Sequence, residues 1–441
     1  MKKLIALLLV IVMCFSLFSC EKIVNYALER HAVALAAEKQ ETNYKDFQDE
    51  EYELFLEKIQ RFSAKLTSEI AEKYGQNDNF AISPISVYMA LALACECAEG
   101  ETRQEIIDAV GVTYEEVNKY TAKLYAYANS EYVQHNITGV KQIVAYQSLY
   151  NSIWLDDSVK FVSDGVNKLA NEYNCDVFQA SVKNGEMEKL IEKYIENKTN
   201  GLIDGDVQLS PETYFVLMNT YYLKEIWNEY GKNLSFTDNN YNFRNGDGGY
   251  TETKLLQGYY NEGKVYSAEN YSSFFTKTEH GFKIYFFLPD DEWSVQSIFT
   301  EENINTVLTM KDWGYVDDAN RQLHHTRVFF PEFEADFDED IKDVLSDDFG
   351  IKQLFDPNSC DMSNVSVESV YCEGVFHKVD LTVDKKGIEG AAVTYLPAAG
   401  AAAPPPYEKV YHDYVIDRAF GFVITDGYGT VVFSGVVNEI D

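Results

Sequence analysis

Gly387-Ile388-Glu389-Gly390-Ala391-Ala392-Val393-Thr394-Tyr395-Leu396-Pro397-Ala398-Ala399-Gly400-Ala401-Ala402-Ala403-Pro404-Pro405-Pro406 stands apart from the rest of the chain. Ala, Gly and Pro dominate it, and Pro397, Pro404, Pro405 and Pro406 are four of only nine prolines in the sequence. A flexible linker is the bland explanation. Position argues against it: strand-like runs flank the segment, and the C-terminal remainder of the chain is too short to be a domain. A long loop inside a compact domain is usually functional. Its first half also has a period of two. Ile388, Gly390, Ala392, Thr394, Leu396, Ala398 and Gly400 share one face, and none is charged. Glu389, Ala391, Val393 and Tyr395 share the other, which carries the single charge. Such a loop is suited to becoming a buried strand in a sheet that admits it.

The surrounding chain has 441 residues, with 37 Lys+Arg against 71 Asp+Glu and a formal charge of −34. That acidity excludes a basic grip on nucleic acid or anionic lipid. At 46% hydrophobic and 14% aromatic the chain is too apolar to be disordered. Length alone would suggest about three domains. No repeat and no internal linker before residue 387 divides it, so one large α+β domain is expected. The N-terminus reads as an address. Met1-Lys2-Lys3 is basic, and Leu4 to Phe18 is an apolar run broken by Ser16. Fifteen residues are too few for a comfortable membrane span, which needs about 20. They suit a secretory signal. Leu17-Phe18-Ser19-Cys20 resembles a bacterial lipobox, with Phe18 bulkier than is usual there. The expected organisation is therefore a signal peptide over 1–19, lipidated Cys20, a tether over 20–45 and a domain over 46–441. The product would sit on the outer face of the bacterial cell membrane, held only by its lipid, or be extracellular if Cys20 is incidental.

Cys95, Cys97, Cys175, Cys360 and Cys372 then remain, an odd count at irregular spacing, so no disulfide framework is expected. The seven His have no metal-site spacing, and His324-His325 suit a strand with one ring on each face. No metal or cofactor is expected. Leu54, Phe55, Ile59, Phe62, Leu66 and Ile70 mark an amphipathic helix. Ser86 reads as the cap of a buried helix over 87–98, and Thr102-Arg103-Gln104-Glu105 as a capping box. Residues 186–198 read as a helix and 341–349 as a shorter one. Buried strands are expected over 215–223 and 282–288, a strand with acidic alternation over 328–337, a further strand over 375–383, and a terminal hairpin over 420–437.

Ordered stretches along the chain resemble the serpins. Asn79-Phe-Ala-Ile-Ser83-Pro84-Ile-Ser86 resembles the family's first core motif. Asn151-Ser-Ile-Trp154 comes next, then Tyr194…Thr199-Asn-Gly-Leu-Ile203, with Tyr194 where the family usually has Trp. Met218-Asn219-Thr-Tyr-Tyr-Leu-Lys224…Trp227 resembles its Asn-to-Trp signature. Phe330-Pro331…Phe333, Phe349-Gly350-Ile351…Phe355, Phe376-His377-Lys378, Asp417-Arg418-Ala419-Phe420 and Phe433-Ser-Gly435-Val436 complete the set, from about Phe47 to Asn438. The resemblance implies one domain of three β-sheets with eight or nine helices and an exposed reactive-centre loop, here about 385–416. It implies a monomer that is not an enzyme. A serine protease would attack the loop, and the cleaved loop would enter the main sheet as a strand, trapping the acyl-enzyme. Sheet insertion of this kind is a known mode of strand addition and strain release.

Residue by residue, the resemblance makes Ser83, Ser86, Asn219 and His377 a hydrogen-bonded cluster beneath the strands that part, with Trp227 near the loop's entry. His377 is then structural, not catalytic. The hinge would be Lys385, Lys386, Gly387, Ile388, Glu389, Gly390, Ala391, Ala392, Val393 and Thr394. Lys385 replaces a family Glu, and Glu332 replaces the Lys that normally pairs with it, so a reversed Lys385–Glu332 salt bridge is expected. Pro397 is expected to slow late insertion, because proline disfavours central strands. With Lys385 as the seventeenth residue before the cleaved bond, that bond falls between Ala401 and Ala402, with Ala399, Ala403 and Tyr407 as alternatives. Small residues there suit an elastase-like protease; subtilisin-like and cysteine proteases are the other partner classes. Scattered lysines such as Lys119 and Lys123 form no basic helix, so no heparin-type polyanion is expected. A non-inhibitory serpin, cut but not inserted, is the alternative.

Overall fold

A computed structural model describes residues 27–36, 50–76, 78–135, 141–199, 201, 207–227, 234–258, 260–311, 313–388 and 407–440. Cys20, the hinge from Glu389 to Thr394, Pro397 and the Ala401–Ala402 bond lie outside them. The described chain opens with a helical turn, α1 (residues 27–31), and β1 (Ala32–Ala34). Next come α2 (Glu50–Tyr74), β2 (Phe80–Ile82), α3 (Pro84–Cys97), α4 (Gly100–Val110) and α5 (Tyr114–Tyr127). β3 (Lys141–Asp156), α6 (Ser163–Glu172), β4 (Cys175–Ala180), α7 (Glu186–Lys198) and β5 (Phe215–Ile226) succeed them. Then come β6 (Tyr271–Lys277), β7 (Lys283–Pro289), α8 (Val295–Ile298), α9 (Glu301–Thr309), β8 (Gln322–Phe330) and β9 (Phe333–Asp340). The chain closes with α10 (Lys342–Asp347), β10 (Phe376–Val383), β11 (Gly387–Ile388), β12 (Glu408–Val415), β13 (Phe420–Thr425) and β14 (Val431–Val437).

Three sheets organise these strands. The first has the order β1-β4-β3-β5-β11-β10-β9, with the short strand Glu131–His135 beside β3. The second runs from Tyr266–Ser267 through β6, β7, β13 and β14 to β2. The third gathers short strands around β8, with β12 parallel to it. Ten helical segments among the described residues exceed the eight or nine expected, because α1 and α8 are single turns.

Local chemistry explains the elements and the departures from expectation. α2 buries Phe55, Ile59, Phe62, Leu66 and Ile70 but leaves Leu54, one residue off that stripe, 57% exposed. α3 is buried on every face and begins at Pro84, three residues before the expected start. Proline at the first helical position is pre-set for it and needs no N–H partner. Thr102 opens no capping box. It lies inside α4, where its hydroxyl accepts Asp361 N–H at 3.0 Å. The capping box belongs to α5, where Thr113 and Glu116 cap each other's backbone N–H. The strand expected over 328–337 is two strands in two sheets, β8 and β9, parted at Pro331. β13 and β14 are buried at every position and pack with α3 in the main core.

The largest departure is at the N-terminus. Residues 27–36, expected to be part of a tether, are built into the fold. β1 pairs antiparallel with β4, Ala32 with Phe178 and Ala34 with Val177. His31 Nδ1 lies 3.0 Å from Gln179 O, and Ala36 N–H donates to Asp176 Oδ1 at 3.0 Å. Leu28 is buried in a second apolar cluster with Trp154, Phe178 and Tyr194. Leu28→Ala should cost about 2–3 kcal/mol in urea unfolding, as buried leucine truncations do. Substitution of the exposed neighbour Glu29 by Ala should leave the midpoint unchanged.

Candidate functional site

β5 and β10 are the two central strands of the first sheet, and among the described residues they share no ladder. Between them lies β11, two residues long. It pairs antiparallel with both: Gly387 with Ile226 and Ile388 with Glu225 on one side, Ile388 with Val383 on the other. Two strands that are each antiparallel to a third are parallel to each other. β5 and β10 are thus parallel, and among the described residues the gap between them holds only the β11 wedge, at one end. Ile388 is fully buried in it.

The wedge is set by a two-residue turn. Asp384 N–H donates to Gly387 O at 2.9 Å, and Gly387 N–H returns to Asp384 O at 3.2 Å. Asp384 Oδ1 also accepts Lys386 N–H at 2.7 Å and Gly387 N–H at 3.1 Å. Residue 387 has to be glycine, because a Cβ there would lie 1.9 Å from Glu225 O. Trp227, buried at the end of β5, spans the mouth of the gap: its indole N–H donates to Asp384 O at 2.9 Å. Phe330 packs edge-on beneath the indole at 5.5 Å.

Lys385 and Glu332 meet, but not as the expected salt bridge. Glu332 Oε1 accepts the backbone N–H of Lys385 at 2.8 Å. The Lys385 ammonium lies over the Phe236 ring, 5.6 Å from its centroid. The tight turn aims the backbone of residue 385 at Glu332, and the side chain leaves in another direction. Glu332→Lys should therefore lower the melting temperature or promote polymerisation, losing about 0.5–1.5 kcal/mol for the hydrogen bond. The reversed pair Lys385→Glu/Glu332→Lys should not restore it in a thermal melt, since the ammonium is not the partner.

Deeper in the gap the expected four-residue cluster is divided. On the β10 side, Ser83 N–H donates to His377 Nε2 at 2.9 Å, and Ser86 Oγ lies 3.0 Å from Ser83 Oγ. On the β5 side, Asn219 Nδ2 donates to Asn151 Oδ1 at 2.5 Å. Asn219 Oδ1 is buried with no partner among the described residues. No hydrogen bond joins His377 to Asn219 there, because the gap lies between their strands.

Because His377 Nε2 accepts a backbone N–H, its proton is on Nδ1 and the ring is neutral. Burial pushes its pKa down to about 4. Between pH 6.5 and about 4 the unfolded chain binds a proton that the native one refuses. Stability therefore falls as pH falls through that window, by up to about 3 kcal/mol. Asp426, pushed up to about 6 by burial, has the opposite sign: its native form gains the proton first as pH falls. His377→Gln should remove its own share of the acid sensitivity while Asp426's persists, measured by urea unfolding at pH 7 and pH 4.5.

Elsewhere, Cys95, Cys97, Cys175, Cys360 and Cys372 are free and buried. Burial pushes the Cys95, Cys360 and Cys372 thiols up to about 12. His324 Nδ1 lies 2.9 Å from His412 Nε2, while His325 stacks on Tyr411 across the other face of β8. No group of three or more metal-ligating side chains occurs among the described residues. Two residues of the mouth escaped the sequence reading: Asp384, and Glu225, whose carboxylate is buried near the end of β5.

The family model for serpins, serine protease inhibitors, matches residues 57–440. Serpin-Z4 of Arabidopsis thaliana is 22% identical over 396 residues, covering 84% of this chain and 94% of the relative. The native-state crystal structure of the thermophilic serpin tengpin superposes with a TM-score of 0.68 at 22% identity, covering 93% of this chain and 100% of that one. Serpin48 of the insect Tenebrio molitor superposes at 0.71 with 19% identity, covering 89% and 100%. The chain belongs to the serpin family, whose members are generally protease inhibitors, and its α+β architecture is the serpin fold.

Proposed function

We propose that this serpin is a suicide-type inhibitor of serine proteases, with an elastase-like enzyme as target. The observation that carries the reading is Ile388, seated between β5 and β10 in register with both strands. Continuing the register residue by residue sets Gly390 against Leu223 and Leu381, Ala392 against Tyr221 and Val379, and Thr394 against Asn219 and His377. The small uncharged face of the loop would then lie with the buried residues of both strands, and Glu389 on the outer face. Each new ladder bond is worth about 0.5–1.5 kcal/mol net. Two parallel edges would also become antiparallel contacts, which pair slightly better.

The same register revises the role of Pro397. The backbone groups of Gly387 point to β10, so those of odd-numbered residues continue to do so. Position 397 would lie opposite Gly374, before β10 begins at Phe376. Its missing N–H therefore faces no ladder partner, and proline is tolerated in such places. Pro397→Ala should leave the stoichiometry of inhibition unchanged.

Cleavage between Ala401 and Ala402 suits a shallow apolar specificity pocket. Pro404 to Pro406 would stiffen the far side of the loop. Lipidation at Cys20 would hold the inhibitor at the cell surface, where its −34 charge steers cationic proteases toward it. The second reading, a decoy or binding serpin, draws on Lys386, Ile388, Gly390 and Pro397, which depart from the family's pattern. Incubation with pancreatic or neutrophil elastase tests both. A covalent complex that survives SDS, with a released peptide beginning at Ala402, is expected. Clean cleavage with no complex and no rise in melting temperature would establish the second reading.

A further inference from the structure

The end of β5 is tied to the turn between β6 and β7. Glu279 N–H donates to Ile226 O at 2.9 Å, Trp227 bridges Thr278, and His280 Nδ1 lies 2.8 Å from Glu225 Oε1. One lip of the gap is thereby fastened to the second sheet. Glu225 is the ladder partner of Ile388, and its side chain is fully buried. Its Oε1 also accepts Ile226 N–H at 2.8 Å, while Oε2 has no partner among the described residues. A half-satisfied carboxylate in an apolar strand costs stability unless its charge is used. Here it is used against an imidazole on a different sheet, at the place where an incoming strand must push the lip aside.

We infer that Glu225 and His280 are a positioning pair for strand insertion. Their contact fastens the β5 lip to the second sheet, and its loss lets a strand enter between β5 and β10 faster. This rests on the proposal that the loop inserts. Burial raises the pKa of Glu225, with Glu279 acting in the same direction and His280 and Ile226 N–H against it. No other titratable group faces Glu225 among the described residues. Its flank on β11 is Gly387 and Ile388, Lys224 projects to the opposite face by strand alternation, and the Asp384 carboxylate is occupied by two backbone N–H groups. A charge-assisted hydrogen bond is roughly twice as strong as a neutral one. Its weakening should accelerate insertion about fivefold.

The test uses the full chain and a synthetic peptide with the sequence of residues 387–400. Annealing is followed by the fluorescence of the tryptophans, Trp227 lying at the mouth, and by the rise in melting temperature. Glu225→Gln and His280→Gln should each anneal about fivefold faster than the wild type. The double variant should anneal no faster than either, because the two residues act through one contact. Wild-type rates in both single variants, or additive effects in the double, overturn the pair while leaving insertion standing. Failure of the peptide to anneal overturns insertion itself, and the pair with it.

Discussion

Two parallel strands that do not bond each other govern this molecule. β5 and β10 each have a satisfied neighbour on the outside, β3 and β9. On the inside they meet only the two residues of β11 among the described chain. Under the proposed mechanism the loop after Ile388 would supply ladder partners to both strands, each bond worth about 0.5–1.5 kcal/mol net. Inhibition would then need no catalytic residue of the chain's own.

Polar groups along the gap are divided between its two sides rather than shared across it. His377 and Ser83 belong to one half, Asn219 and Asn151 to the other, and Glu225 with His280 ties the mouth to a second layer. Trp227 is the exception, since its indole reaches from the end of β5 to Asp384 at the end of β10.

The family and the sheet architecture were legible in the sequence because they rest on local signals. The apolar positions from Phe55 to Ile70 fall at helical spacing along α2, and the apolar run from Phe215 to Leu223 lies within β5. Non-local geometry was not legible. Nothing in the residues near Lys385 tells that its backbone, rather than its ammonium, would meet Glu332; that depends on a turn two residues long. The division of the His377–Asn219 cluster depends on how far the sheet is open, a distance set by the whole core. Glu225 gave no readable signal, since it follows Lys224 at the end of an apolar run, and its partner lies 55 positions away in another sheet. Residues 27–36 looked polar enough to be a tether, yet Leu28 and the short run Ala32-Val33-Ala34 sufficed to join an existing sheet edge.

That N-terminal edge strand sets a short leash. Residue 27, where α1 opens, is the seventh after Cys20. Fully extended, that stretch reaches no more than about 25 Å. If a lipid is attached at Cys20, the opening turn α1 hangs within that distance of the bilayer surface, and β1 follows directly after it. Any pull on such an anchor would pass through α1 into β1, the outermost strand of the first sheet.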